Sequence, residues 1–209
     1  MNYEKYEFYK TEFDFYKQGK TEHFNYEDTY KRNLKTTKEL CLIRFGWLSS
    51  FLSYEEMQNM SAMDYGCGSG EMKKNIGSFF MNFYEYDINY ENGLTYHETC
   101  NNNFDIIFVM DVIEHIDDIN FIFNKLNWKY AMISFPETPS IDKMEDLYKW
   151  RHFKPNEHIW CLNQIGFKKM LTNLNVNVIG FSNFEDNIRV RWDKNKPNIS
   201  TFLLKRGFK

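Results

Sequence analysis

The stretch S-A-M-D-Y-G-C-G-S-G, residues 61–70, decides the fold of this chain. Its pattern predicts a short buried strand, then a glycine-rich turn, then a helix that begins at Glu71. Glycine is used where the backbone takes a positive φ or where a ligand approaches closely. A strand, a glycine turn and a helix in this order place that approach beside the backbone N–H groups of a helix N-terminus. The stretch therefore predicts a nucleotide-type ligand, with a plain tight turn as the alternative.

The spacing of the glycines indicates which class of ligand to expect. The dinucleotide fingerprint G-x-G-x-x-G would need a glycine at position 71. The chain has Glu71 there, and its carboxylate would repel a pyrophosphate. The observed pattern is instead G-x-G-x-G, preceded by the acid Asp64. A nicotinamide-dependent oxidoreductase is therefore disfavoured and is kept as an alternative class.

A second acid follows at the distance that a βαβ unit requires. Residues 82–88 read N-F-Y-E-Y-D-I and predict a strand that ends at Asp87, with a helix over 71–80 before it. An acid at the end of the second strand can accept hydrogen bonds from both hydroxyls of a ribose. We therefore predict that Asp87 binds a ribose, with an ordinary surface acid at a strand end as the alternative.

The rest of the chain alternates strands and helices. Residues 104–110 and 130–135 are almost wholly apolar, which is typical of strands buried on both faces in a parallel sheet. The other predicted elements are a helix over 34–53, a weak strand over 94–97, a helix over 162–174 and strands over 176–181 and 200–205. This order predicts an α/β fold closed by a β-hairpin.

Composition narrows the class of protein further. The chain has 209 residues, is 43% hydrophobic and carries a net charge of −3. This length suits one domain with a sizeable core, and the charge gives no overall field that would attract nucleic acid. The four cysteines lie far apart without a C-x-x-C pair, so neither a zinc site nor a disulfide framework is predicted, and a cytoplasmic location is expected. No apolar run approaches the length of a transmembrane helix, so we expect no membrane partner.

Two segments lie outside the predicted ligand-binding unit. Residues 1–55 are predicted to form an aromatic-rich helical arm or cap, and residues 56–209 the ligand-binding domain. The arm either packs its aromatic side chains on the domain or covers a ligand as a lid. The predicted loop over 137–160 is long, and long loops in compact domains tend to be functional or mobile.

Five motifs in this order resemble those of class I S-adenosylmethionine-dependent methyltransferases. The motifs are MDYGCGSG (63–70), YEYDIN (84–89), FDIIFVMDVIEHI (104–116), YAMISFP (130–136) and HFKPNEHIW (152–160). Within that superfamily the chain resembles the small stand-alone enzymes that include the ubiquinone-pathway O-methyltransferases. The resemblance implies a Rossmann-like, seven-stranded, mostly parallel sheet with an antiparallel last strand and helices on both faces. It also implies S-adenosyl-L-methionine as the cofactor and a small molecule as the acceptor, methylated at oxygen.

The resemblance assigns the cofactor-binding residues by their position in these motifs. It implies that Asp64 braces the glycine turn and reaches the cofactor's amino group. Asp87 would hold the ribose, with Ile88 against the adenine, while Met110 and Asp111 would lie under the sulfonium end. The full implied set is Asp64, Tyr65, Gly66, Cys67, Gly68, Gly70, Asp87, Ile88, Met110 and Asp111.

His115 is the candidate catalytic residue. Methyl transfer mainly needs an aligned acceptor and excluded water, and it needs a base only when the acceptor keeps its proton. His115 suits that role by its position after the buried strand and by the unperturbed pKa of histidine, about 6.5. A histidine satisfied by a neighbouring group at the start of a helix is the alternative.

The same motif permits a metal-assisted reaction. Asp111-x-x-Glu114-His115 resembles the E-x-x-E-H of some metal-assisted O-methyltransferases, including small-RNA 2′-O-methyltransferases. Such an acid and imidazole could share a divalent ion with His152 or His158. We predict no metal, and keep a metal-assisted RNA 2′-O-methyltransferase and a catalytically silent binding subunit as alternatives.

Overall fold

The computed structural model describes residues 8–18, 26–89, 92–141, 144–155, 157–189 and 197–207. Across these residues, every helix is too short or too polar to cross a bilayer. The strands are β1 (Phe8–Lys10), β2 (Tyr16–Gln18), β3 (Ser61–Tyr65), β4 (Asn82–Tyr86), β5 (Asn103–Met110), β6 (Asn127–Pro136), β7 (Trp160–Cys161), β8 (Val176–Ser182) and β9 (Ile199–Arg206). The α-helices are α1 (Glu27–Leu48), α2 (Tyr54–Gln58), α3 (Glu71–Ile76), α4 (Tyr96–Asn101), α5 (Asn120–Asn124), α6 (Met144–Lys149) and α7 (Gln164–Asn173).

Six of the described strands form the main sheet, in the order β4-β3-β5-β6-β9-β8. β3 pairs in parallel with β4 on one side and with β5 on the other, and β5 pairs in parallel with β6. β9 runs antiparallel to both β6 and β8. The carboxyl ends of β3, β4, β5 and β6 therefore meet at one edge, where sheets of this kind bind ligands.

Both faces of the central strands are buried, as the nearly apolar sequences of β5 and β6 predict. Alternate residues of the central strands point to opposite faces. Ala62 and Ile106 pack with residues of α1 and α3 on one face, and Met63 and Ile107 pack with residues of α5 and α7 on the other. The edge formed by the carboxyl ends of the parallel strands therefore belongs to a sheet that helices cover on both faces.

The predicted α/β class, the mostly parallel sheet and its antiparallel last strand are confirmed, but the described residues form six strands in the main sheet and not seven. The prediction of a strand over residues 94–97 is wrong, because a helix begins there. Thr95 accepts a hydrogen bond from the N–H of Glu98, and the Glu98 carboxylate accepts one from the N–H of Thr95. This capping box satisfies the first turn of α4. The N–H of Leu94 still donates to the Glu85 carbonyl of β4 at 2.7 Å.

Several helix boundaries also differ from the predicted ones. The helix predicted over 71–80 is α-helical as far as Ile76 and continues as a 3-10 turn over Gly77–Phe79. The helix predicted over 34–53 corresponds to α1, which begins earlier and ends at Leu48. The predicted loop over 137–160 contains α6.

A small antiparallel sheet joins the N-terminal hairpin to the domain. β1 pairs with β2, and β2 pairs with β7. Between β1 and β2, Phe15 is fully buried and the Asp14 carbonyl accepts a hydrogen bond from the Asn163 side chain at 2.9 Å. Residues 1–7 and 19–25 of the predicted arm lie outside the described residues.

The close packing of the hairpin on α7 predicts opposite effects of the same substitution in two helices. A Cβ atom at Gly166 of α7 would lie 1.9 Å from the backbone oxygen of Phe13, whereas one at Gly46 of α1 would meet nothing within 4 Å. We expect G46A to stabilise the protein by about 0.5–1 kcal/mol, the helix preference for alanine. We expect G166A to destabilise it by about 1–3 kcal/mol, because the hairpin must shift. Denaturant unfolding measures both, and equal stabilisation by the two variants would contradict the docked hairpin.

Candidate active site

The glycine turn lies at the carboxyl edge of the sheet, directly after β3. Its three glycines have positive φ values, +84° at Gly66, +55° at Gly68 and +71° at Gly70. Residues with a side chain rarely adopt such backbone angles. The N–H groups of Gly66 and Cys67 both donate to the Tyr86 carbonyl, at 2.7 and 3.0 Å. The end of β4 therefore holds the turn in place.

Asp87 follows β4 and braces the same turn. Its Oδ2 accepts a hydrogen bond from the N–H of Gly68 at 3.0 Å, and its Oδ1 accepts one from the N–H of Asn89 at 2.9 Å. Each carboxylate oxygen keeps a further lone pair for a ligand. The next side chain, Ile88, is 70% exposed and offers an apolar surface beside the carboxylate.

Close contact with β5 explains why position 66 needs a glycine. A Cβ atom at Gly66 would lie 2.3 Å from Cγ2 of Val112. Val112 follows Asp111 directly after β5, so the turn after β3 and the chain after β5 are in tight contact. Met110, the last residue of β5, is buried beneath this edge.

Asp64, at the end of β3, is a buried carboxyl group. Burial raises its pKa to about 7, and the nearby charges of Glu85 and Asp87 add to the rise while Arg44 opposes it. The adjacent Tyr65 is also buried, and its ring stacks on that of Tyr86 at 4.9 Å. The group at Asp64 therefore titrates near neutral pH within the protein.

Asp111, which is half-buried, takes part in an ion network with two arginines. It has a φ of +58°, and its Oδ2 accepts hydrogen bonds from Nη2 of Arg44, at 3.1 Å, and from Nη2 of Arg189. Arg44 also binds both oxygens of Glu185, at 2.8 and 2.9 Å. Burial alone would raise the pKa of Asp111, but the charges of Arg189 and Arg44 hold it well below its usual value. Asp111 is therefore a fixed anion.

His115 lies in the 3-10 turn Ile113–His115, between the end of β5 and the start of α5. Its Nδ1 lies 2.8 Å from the carbonyl oxygen of Glu157. Because a carbonyl oxygen only accepts, Nδ1 carries the proton and Nε2 keeps its lone pair. Burial lowers the pKa of His115 from 6.5 by more than the Glu157 carbonyl raises it. The ring is therefore neutral at neutral pH.

Glu114 and His158 complete a compact group with His115. Glu114 is 2% exposed, and its Oε2 has no hydrogen-bond partner among the described residues. Burial, together with the charge of Asp111, raises the pKa of Glu114 well above 4.5, and burial lowers the pKa of His158 well below 6.5. One ligand atom from each of the three residues lies within 4.8 Å of the others. Two imidazoles and a carboxylate suit a divalent transition metal.

The structure brings together only part of the predicted metal set. Asp111 is bound by the two arginines, and His152 forms a hydrogen bond with Asn198 at 2.7 Å. Glu114, His115 and His158 are the residues that converge. Asp111, the first residue of the motif, is therefore not part of the group of possible metal ligands, and His158 joins Glu114 and His115 instead.

Sequence reasoning missed Arg44, Glu185 and Arg189. Two signals were available: an arginine on the apolar side of a predicted helix, and a glutamate four residues before an arginine. Neither signal indicates that the two segments meet Asp111. The contact follows only from the fold.

The mostly parallel sheet, with its glycine turn and acids at the carboxyl edge, defines a Rossmann-like ligand-binding domain. The sequence model of a family described as "Methyltransferase domain" matches residues 43–180, more than half of the chain. The chain therefore belongs to this methyltransferase family, and the predicted superfamily is confirmed. No curated protein matches it in sequence.

Solved structures from several organisms share the fold. A SAM-dependent methyltransferase from Archaeoglobus fulgidus has a TM-score of 0.57 and 16% identity, covering 87% of this chain and 100% of that one. Magnesium protoporphyrin IX methyltransferase from Synechocystis PCC 6803, with bound SAH, has a TM-score of 0.56 and 13% identity, covering 89% of each chain. An S-adenosylmethionine-dependent methyltransferase from Mesorhizobium loti has a TM-score of 0.53 and 13% identity, covering 77% of this chain and 96% of that one. At these identities the similarity shows the fold alone.

Asp64 predicts a pH-dependent cost to stability. Its pKa rises from 3.8 to about 7 on folding, so the folded state favours the protonated form. The contribution of the protonated Asp64 to the free energy of unfolding is fully present below pH 3.8 and is lost as the pH rises to about 7. The loss corresponds to on the order of 4 kcal/mol. We therefore expect D64N to equal the wild type in stability near pH 4 and to exceed it at pH 8.

Urea unfolding across this pH range measures the difference. The matched control is E55Q, which removes an exposed carboxylate from the first turn of α2. A constant difference between D64N and the wild type from pH 4 to pH 8 would show that Asp64 does not titrate in this window.

Proposed function

We propose that this chain uses S-adenosyl-L-methionine to methylate a small-molecule acceptor at oxygen, as the ubiquinone-pathway O-methyltransferases do. The cofactor supplies a methyl group on a positively charged sulfur, which becomes neutral when the methyl leaves. The family match supports methyl transfer. The choice of a small molecule and of oxygen rests on the sequence resemblance and on the net charge of −3, which does not favour a nucleic acid.

One observation carries the proposal: the glycine turn, Asp87 and Asp111 converge at the carboxyl edge of parallel strands. The residues present fit the cofactor. The turn offers three glycines at positive φ, where no side chain keeps a ligand from the backbone, and Asp87 offers carboxylate lone pairs for a ribose. Asp64 would face the amino group and Ile88 the adenine, while Met110 and Asp111 would border the sulfonium.

The N-terminal 55 residues act as a cap over the acceptor side, together with the segment 137–160. Three contacts support this part of the proposal. β2 pairs with β7, which begins at Trp160, the last residue of that segment. The Lys17 ammonium lies 4.4 Å from the centre of the Trp160 ring and donates to the Asp117 carbonyl. The Tyr26 ring lies 6.0 Å from that of His115. The cap would exclude water from the reacting groups.

His115 acts as the general base for an acceptor that keeps its proton. A base must be unprotonated at working pH and must present a lone pair. The Glu157 carbonyl fixes the proton of His115 on Nδ1, and burial keeps the ring neutral. Nε2 is therefore the basic atom.

A metal-assisted reaction is the second candidate, and Glu114 is the observation that favours it. Its buried Oε2 has no hydrogen-bond partner among the described residues, and its Oε1 lies 3.9 Å from Nε2 of His115. A divalent ion between them would satisfy both groups. In this version His115 binds the metal and does not act as the base.

Donor binding tests the core of the proposal. Calorimetric titration should show that S-adenosylmethionine and S-adenosylhomocysteine bind and that NAD does not. D87A removes the charged acceptor and should weaken donor binding at least about tenfold. D118A is a matched control, because Asp118 accepts the Asn120 N–H at 2.9 Å as Asp87 accepts that of Asn89. Its Kd should stay at the wild-type value.

The other outcomes of the titration would favour other classes of protein. Binding of NAD alone would replace the proposal with an oxidoreductase. Binding of the adenosyl compounds without turnover on any acceptor of a hydroxyl-containing panel would favour the silent binding subunit.

Turnover on a panel of hydroxyl-containing acceptors distinguishes a mechanism with His115 as the general base from a metal-assisted one. Because burial lowers the pKa of His115 below 6.5, the acid-side fall of a base-dependent rate should have its midpoint below pH 6.5. H115Q should slow turnover by about 100-fold or more. A strong chelator should leave the wild-type rate unchanged. Loss of that rate on chelation, with recovery on adding Mn²⁺ or Mg²⁺, would instead support the metal version.

A further inference from the structure

Arg44 reaches the site edge from outside the sheet. It belongs to α1, it is 5% exposed, and its guanidinium lies between Glu185 and Asp111. The fork of two hydrogen bonds to Glu185 leaves Nη2 shared with Asp111, and Arg189 binds the same two acids. Planar two-point binding of this kind restricts where a carboxylate can lie.

These contacts hold Asp111 in an unusual backbone conformation. Its φ of +58° lies in the left-handed region, which costs a residue with a side chain about 1 kcal/mol or more. The Asp111 N–H donates to the Ser134 carbonyl at 3.0 Å, and Nη2 of Arg44 lies 3.4 Å from Oγ of the same serine. Backbone and side chain are therefore both tied to β6 and α1, which offsets the cost of the conformation.

The conformation of Asp111 sets the position of its neighbour Val112. The γ-methyl groups of Val112 occupy the space that a Cβ atom at Gly66 would take, with Cγ2 at 2.3 Å and Cγ1 at 3.0 Å. Gly66 is the first glycine of the turn and has a φ of +84°. A continuous line of contacts thus runs from Arg44 through Asp111 and Val112 to this turn.

We propose that Arg44 is a positioning residue for the methyl donor: by holding Asp111 it keeps Val112 against Gly66 and so fixes the glycine turn in the form that binds the donor. This inference rests on the proposed function, since it assigns the turn to the donor. The inference gives helix α1 a part in donor binding, although α1 is far from the glycine turn along the chain.

A purely structural role for Arg44 makes a different prediction. Buried ion pairs often contribute little net stability, so a change in stability alone would not identify the role. If Arg44 acts through Val112, however, the two residues must be coupled in donor affinity. Residues that act along one line of contacts give non-additive effects, and independent ones give additive effects.

The test is a double-mutant cycle of R44K and V112A, with the Kd of S-adenosylhomocysteine measured by calorimetry well below the unfolding temperature of each variant. R44K keeps the charge and loses the fork, and V112A removes the methyl groups that contact Gly66. We expect each to weaken binding about tenfold, and the double variant to weaken it about tenfold as well, not about hundredfold. R206K is the matched control, because Arg206 lies over Trp128 and binds the Phe123 carbonyl outside the site. Its Kd should equal that of the wild type.

The outcomes distinguish this inference from the proposed function. Wild-type protein that binds no donor would overturn both. Donor binding with additive effects of R44K and V112A, or with an unchanged Kd in R44K, would overturn the inference alone. Should R44K fail to fold, R189K takes its place in the cycle, because Arg189 donates to the same Asp111 oxygen as Arg44 and is assigned no contact with the donor. The same non-additivity with V112A is then expected.

Discussion

The parallel pairing of β3 with β4 on one side and β5 on the other is the constraint on which the site depends. It brings the glycine turn, Asp87 and Asp111 to one edge, although they are distant along the chain. The register matters as much as the direction. Met63 opposite Ile107 places both in the core, so Asp64 turns to the face that α1 and α3 cover. A slip by one residue would reverse every side chain of β3 and move this acid away from Arg44.

The acids at this edge, which are buried except for the half-buried Asp111, fall into two groups according to whether an arginine binds them. Asp111 and Glu185 share Arg44 and Arg189, so the four charges balance and the pKa of Asp111 stays low. Removing one partner of such a pair leaves an uncompensated charge and typically costs about 3–5 kcal/mol. Asp64 and Glu114 have raised pKa values instead, because burial and the neighbouring carboxylates outweigh the nearby cations. These two acids reduce the stability of the ionised protein, and a fold alone gives no reason for them.

The glycine turn and Asp87, which we assign to the donor, could be predicted from local sequence as neighbours at one sheet edge, whereas the ion network could not. The glycine turn and Asp87 depend on a strand, a turn and a second strand within 30 residues, and their spacing carries the information. Arg44 and Glu185 are 141 positions apart, and no local pattern indicates that they meet. The wrong strand at residues 94–97 had a readable sign, since Thr95-x-x-Glu98 is a capping sequence.

The N-terminal segment lies at the boundary between the region that the chain shares with its family and the region that the family match does not include. The family match begins at residue 43 and therefore includes Arg44 but not the hairpin of β1 and β2. Arg44 contacts the edge that we assign to the donor, which relatives would share. The hairpin and Tyr26 contact β7 and His115, on the side that we assign to the acceptor. Because function depends on the residues placed on a fold more than on the fold itself, we infer that the segment before residue 43 selects the acceptor. A chain can then keep the donor machinery of its family while the acceptor changes with the cap.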